Sequence, residues 1–126
     1  MTSDDSNRPH TAESLPPDAT AREVAEAHYG ALFADNRALW VQTLDARSRQ
    51  MADRRGAMPE HWWTSGRRYA TQFGVTYHFE RQDIVEDDYC KLFFVRRHPD
   101  GSQRGRPLPI HLVLEDDGWR VRTPSY

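Results

Sequence analysis

Three residues of this chain are the leading candidates for acid–base work: His28, Tyr77 and Tyr89. An imidazole has both protonation states within reach near neutral pH, so a cavity-facing His28 would serve as general base or hydrogen-bond donor. A phenol from Tyr77 or Tyr89 would then polarise a substrate oxygen. That pairing suits a cofactor-free isomerase, cyclase or lyase acting on an enolisable or hydroxylated substrate. The plainer reading of His28 is a hydrogen-bonded or partly exposed histidine at a helix edge, because no partner is visible beside it. His28, His78 and His111 together would suit zinc, yet their spacing matches no local metal motif. His78 and His111 each alternate with apolar neighbours, which places them on the outward side of a half-buried sheet. No metal and no cofactor are expected. Cys90 alternates with Lys91 and falls in phase with Leu92 and Phe94, as a buried thiol does.

Tyr29, Trp62, Tyr69, Phe93 and Trp119 could line a pocket for a flat or apolar ligand, with hydroxyl or indole N–H groups fixing its orientation. The alternative is that they are the core of a small domain. Trp62 and Trp63 are adjacent, so on one helix they are not expected to point inward together; one belongs at a cavity mouth or an oligomer interface. Arginines gather at Arg47, Arg49, Arg54 and Arg55, at Arg67 and Arg68, and at Arg96, Arg97, Arg104 and Arg106. Guanidinium groups suit carboxylates or phosphates. The neighbouring Asp and Glu residues make intermixed surface charge the simpler account.

The whole chain limits what these groups can be for. It has 126 residues, 37% of them hydrophobic, 29% charged and 11% aromatic, with a formal charge of -2. That is one domain with enough apolar material for a core. The slight acidity gives no general attraction to nucleic acid or to an anionic membrane, and neither partner is expected. A single cysteine excludes an intramolecular disulfide. No run reaches the length of a membrane span, and the polar opening residues do not resemble a secretory signal, so the default expectation is a cytoplasmic protein.

The elements that must position the candidate residues can be read along the chain. Residues 1–19 are polar and proline-bearing, and read as a flexible tail. Thr20 with Glu23 forms a capping box for a helix over 21–34, whose stripe is Val24, Ala27, His28, Ala31 and Leu32. Asp35 is the expected N-cap of a short helix through Leu39, Trp40 and Leu44. Residues 45–55 fit a surface helix or an irregular loop. Pro59 opens another helix through Trp62, Tyr69 and Phe73, which Gly74 stops. At Val75 the period changes to two. Strands follow over 75–84, 89–97 and 107–115, then from Trp119, with Asp100-Gly101 as a hairpin signal. The layout is α+β: three N-terminal helical segments packed on one face of a curved four-stranded antiparallel sheet, a cone with room for an internal pocket.

Three stretches carry a likeness to a known family. They are Tyr29-Gly30-Ala31-Leu32-Phe33-Ala34-Asp35-Asn36, then Leu39-Trp40, and finally Leu112 to Val121 with its closing Gly-Trp-Arg-Val. Together they resemble the nuclear transport factor 2-like superfamily, also called cystatin-like, over roughly residues 20–126. The likeness is nearest to small bacterial members of unassigned function. It implies a cone-shaped domain, which in this superfamily serves isomerases, cyclases, epoxide hydrolases, dehydratases, transport factors and dimerisation modules alike. Matched to ketosteroid isomerases of this fold, His28 stands where those enzymes place a catalytic tyrosine. Asp53 is the only carboxylate where their base should be. The Asp-Arg-Asp relay of epoxide hydrolases has no counterpart. The functional expectation is a homodimeric cone-fold domain that binds a small apolar or aromatic ligand between helices and sheet. The dimer would use the opposite sheet face, through residues such as Phe94 or His111. The alternatives are the small acid–base enzyme and a protein-interaction module using the arginine-rich hairpin.

Overall fold

A computed structural model describes residues 15–126. Four helices precede the sheet: α1 (Ala21–Phe33), α2 (Arg37–Gln42), α3 (Ala46–Met51) and α4 (Met58–Phe73). Thr20 and Glu23 close the expected capping box on α1. The expected cap at Asp35 is corrected. Asn36 caps α2 through its side chain, while Asp35 takes a positive φ of 57° and makes the turn between the helices. Aspartate tolerates this left-handed conformation better than most residues. The undecided segment after Asp45 is a helix, because the Asp45 carboxylate accepts from the Ser48 N–H at 3.0 Å. There are therefore four helical segments where three were expected. Gly74, at φ 61°, ends α4 as read from the sequence.

The four strands are β1 (Thr76–Val85), β2 (Tyr89–Arg97), β3 (Leu108–Glu115) and β4 (Gly118–Thr123), an antiparallel meander in chain order that remains open. Register irregularities in β1, between Phe79 and Arg81 and between Gln82 and Ile84, bend its outer half. Pro109 pairs with Phe93 near the start of β3. The Thr43–Asp45 turn is zipped onto β4: Val121 donates to the Thr43 carbonyl at 2.6 Å, and Asp45 donates to the Val121 carbonyl at 2.9 Å.

The core lies between the helices and one sheet face. Val24, Ala25, Leu32, Leu39, Trp40 and Leu44 pack against Leu92, Phe94, Ile110, Leu112 and Val121. Each fully buried aliphatic or aromatic side chain contributes about 1.5–3 kcal/mol relative to exposure. Phe94 is wholly buried here, which corrects its assignment to the outer, dimer-forming face. The α4 helix can approach α1 because residue 66 is glycine; a Cβ there would meet Leu32 at 2.6 Å. At the end of α1, Arg67 donates to the Leu32 carbonyl and pairs with Asp35 at 3.4 Å. A cation beside the C-terminal carbonyls of a helix is the favoured arrangement. Both Trp62 and Trp63 pack on the core as half-buried residues, so neither is excluded from it as expected. Of the expected tail, Leu15 and Ala19 also pack against the core, and Leu15 N–H donates to Gln42 at 3.2 Å. The rest of that expected tail lies outside the described residues.

Candidate functional site

Helix α1 brings His28 and Tyr29 side by side into the interior, where both are buried. The turn after α2 presents Thr43, and β1 and β2 present Tyr77 and Arg96 from paired positions. The chain following β4 then folds back and inserts Tyr126 among them.

The hydrogen bonds around His28 form a chain whose directions can be assigned. The Thr43 hydroxyl donates to the Trp40 carbonyl at 2.6 Å, so its oxygen is left to accept from His28 Nδ1–H at 2.7 Å. That fixes the tautomer and leaves Nε2 as an acceptor. Tyr126 therefore donates its hydroxyl to Nε2 at 2.8 Å, and its oxygen accepts from Trp40 Nε1–H at 3.3 Å. The path starts at the indole of Trp40 and ends at the carbonyl of the same residue. Every polar atom along it has a partner, which is the condition for a buried polar network to stabilise rather than cost. Burial pushes the His28 pKa down to about 3, because the imidazolium would be desolvated. Both nitrogens are occupied and the cation is disfavoured, so the expected role as a general base has no free lone pair to act through.

The expected trio does not assemble. Tyr77 is on the helix side, stacked on Tyr29 with ring centres 4.2 Å apart and planes 11° apart. Tyr89 lies one residue out of phase with Cys90 and Leu92, hence on the other face of the sheet. There it shares a 2.6 Å hydrogen bond with His111. The expected ligand-lining set is scattered in the same way. Phe93 is on that outer face beneath Arg81 and Lys91, with their cations 4.1 and 5.1 Å from its ring. Tyr69 sits late in α4 beside Phe73 and Arg104. Trp62 and Trp119 are partly buried packing against the core. Of the five, Tyr29 lines the groove that opens beside α1. His78 is exposed and bonded to Thr76, and among the described residues no group of three His, Cys, Asp or Glu could hold a metal. Burial raises the Cys90 thiol pKa, away from nucleophilic use.

A groove of about 390 Å³ opens between α1 and the start of β1. The stacked Tyr29 and Tyr77 rings line it, Phe33 stands beside it 55% exposed, and Glu26 adds its only carboxylate. Gly30 lines it too, and a Cβ at that position would meet nothing within 4 Å. A helical glycine costs roughly 0.5–1 kcal/mol relative to alanine. No neighbour demands it here, and its effect is to keep the groove wide.

Arg96 was read only as one of a cluster of surface arginines, and Tyr126 was missed in the sequence. Arg96 extends the inward phase of Leu92 and Phe94 by one more step of two, a signal that its charge concealed. It donates from Nη1 to the Tyr126 main-chain oxygen at 3.2 Å. Tyr126 follows the last strand and carries no periodic signal at all. Among the described residues no helix is long and apolar enough to cross a membrane. Comparison with family models, curated proteins and solved structures finds no match.

Proposed function

We propose that the chain is a binding module built on a nuclear transport factor 2-like cone, and that it takes a small apolar or aromatic ligand in the groove between α1 and β1. The observation that carries this reading is a groove lined by Tyr77 and the buried Tyr29, beside an exposed phenylalanine and an unneeded helical glycine. Aromatic faces in a concave site attract flat apolar ligands through area burial and offset or edge-on ring contacts. The occupied nitrogens of His28 weigh against the acid–base enzyme. The homodimer remains a proposal through the outer sheet face, with Phe93 and His111 rather than Phe94 as its contacts.

Titration with β-naphthol, followed by calorimetry, tests the groove. Wild type should bind it, and Gly30→Leu should weaken binding at least about tenfold, equal to 1.4 kcal/mol. Helix propensity favours leucine over glycine, so the variant should remain folded. Absence of binding to wild type, or equal binding by Gly30→Leu, would reject the groove.

A further inference from the structure

Residues 124–126 belong to no strand or helix, yet they reach the middle of the molecule. Tyr126 lies parallel to His28, with ring centres 5.7 Å apart and planes 4° apart, and meets Tyr29 edge-on at 6.1 Å. Its hydroxyl is held by His28 Nε2 and Trp40 Nε1, and its main-chain oxygen by Arg96. Just before it, the Ser125 carbonyl accepts from the Tyr29 hydroxyl at 3.0 Å. A phenol is thus gripped at its hydroxyl, along its ring and at an oxygen on the third carbon beyond the ring, which is how a small ligand is recognised.

The fit is incomplete at one end. Arg96 Nε and the Tyr77 hydroxyl are buried without a hydrogen-bond partner, on residues that face each other across β1 and β2. Buried unpaired donors are costly and call for an explanation. The tethered segment engages Arg96 through Nη1 alone. A free carboxylate could rotate to take two guanidinium N–H groups and leave an acceptor for the tyrosine hydroxyl.

We propose that the interior bounded by His28, Trp40, Tyr29 and Arg96 is a binding site for a small phenol bearing a carboxylate, and that Ser125–Tyr126 occupies it as a tethered internal ligand. This site adjoins the groove, with Tyr29 and Tyr77 common to both, but its argument does not depend on a ligand in the groove. An external ligand must compete with the tether, so its apparent affinity falls by the fraction of molecules in which the segment is released.

Desaminotyrosine matches Tyr126 atom for atom from the hydroxyl to the carbonyl carbon and is the probe. Calorimetric titration of the full chain should show Tyr126→Ala binding it at least about tenfold more tightly than wild type. Adding Arg96→Gln should abolish the gain. Tyr126→Phe keeps the packing and removes both hydrogen bonds of the hydroxyl, so it should gain about tenfold. If Tyr126→Ala is unfolded alone, the probe should restore its thermal transition. A folded Tyr126→Ala with no gain, an unfolded one that the probe does not restore, or a Tyr126→Phe without gain would each overturn the proposal. Gly30→Leu in the Tyr126→Ala background should leave the affinity unchanged; its loss would put the probe in the groove and also overturn the interior site.

Discussion

The molecule contains two tyrosine–histidine pairs that look alike locally and differ in everything around them. Tyr126 and His28 are joined at 2.8 Å with rings 5.7 Å apart; Tyr89 and His111 are joined at 2.6 Å with rings 6.0 Å apart. The first pair is closed between the helices and the sheet, and both nitrogens of its histidine are used. The second lies on the outer sheet face, half-buried, with one nitrogen engaged among the described residues. Contact geometry therefore does not decide what a histidine does. Burial and the second nitrogen do: they turn His28 into a neutral structural member and leave His111 near solvent.

The strongest way to break this comparison is to remove each imidazole. His28→Ala leaves a cavity and strips partners from Thr43 and Tyr126, so it should cost about 3–5 kcal/mol in urea unfolding. His111→Ala should cost less than about 1 kcal/mol. Equal losses would show that the two sites are energetically alike.

Acid comes next in size. His28 has a folded pKa of about 3 against 6.5 when unfolded, so below 6.5 the unfolded chain binds the extra proton. Its contribution is complete above pH 6.5 and is lost as pH falls toward 3, at up to about 1.4 kcal/mol per pH unit. Burial, then Lys91, lowers the His111 pKa as well, which has the same sign. Thermal unfolding between pH 7 and 4.5 should therefore show a slope that His28→Gln flattens much more than His111→Gln does. A slope untouched by His28→Gln would mean that this imidazole is not neutral in the folded state.

The smallest effect sharpens the contrast. Tyr89→Phe removes a hydrogen bond near solvent, where water replaces it, and should shift stability by less than about 0.5 kcal/mol. A larger loss by urea unfolding would show that the outer pair is covered, as it would be in a dimer using that face.

Much of the fold was legible because local signals agreed with one another. Thr20 and Glu23 marked the start of α1, the change of period near Val75 marked the sheet, and Asp100-Gly101 marked the hairpin. Asp35 and Asn36 were harder, since both are good capping residues and Arg67 engages Asp35 from a helix distant in sequence. The short α3 carries too little apolar pattern to announce itself, and its cap decided it. The site was less legible. His28 lies on the stripe read from the sequence and is buried, but its partners Thr43 and Tyr126 lie 15 and 98 residues away. Arg96 could have been found by following the strand phase past Phe94. Gly30 had a meaning only once its surroundings were seen to be empty.

The sequence by itself determined the α+β layout, the helix stripe that buries His28 and the alternation that sets Cys90, Leu92 and Phe94 in one phase. These follow from periodicity, capping and turn chemistry, which act over a few residues. Which phase of β2 faces the helices was left to the tertiary structure. Tertiary structure alone decided that His28 would be closed into a ring of hydrogen bonds, that Tyr126 would fill the space between helices and sheet and that a groove would open beside Gly30. Those outcomes depend on which distant groups meet in a space of fixed volume, and no short-range pattern records that.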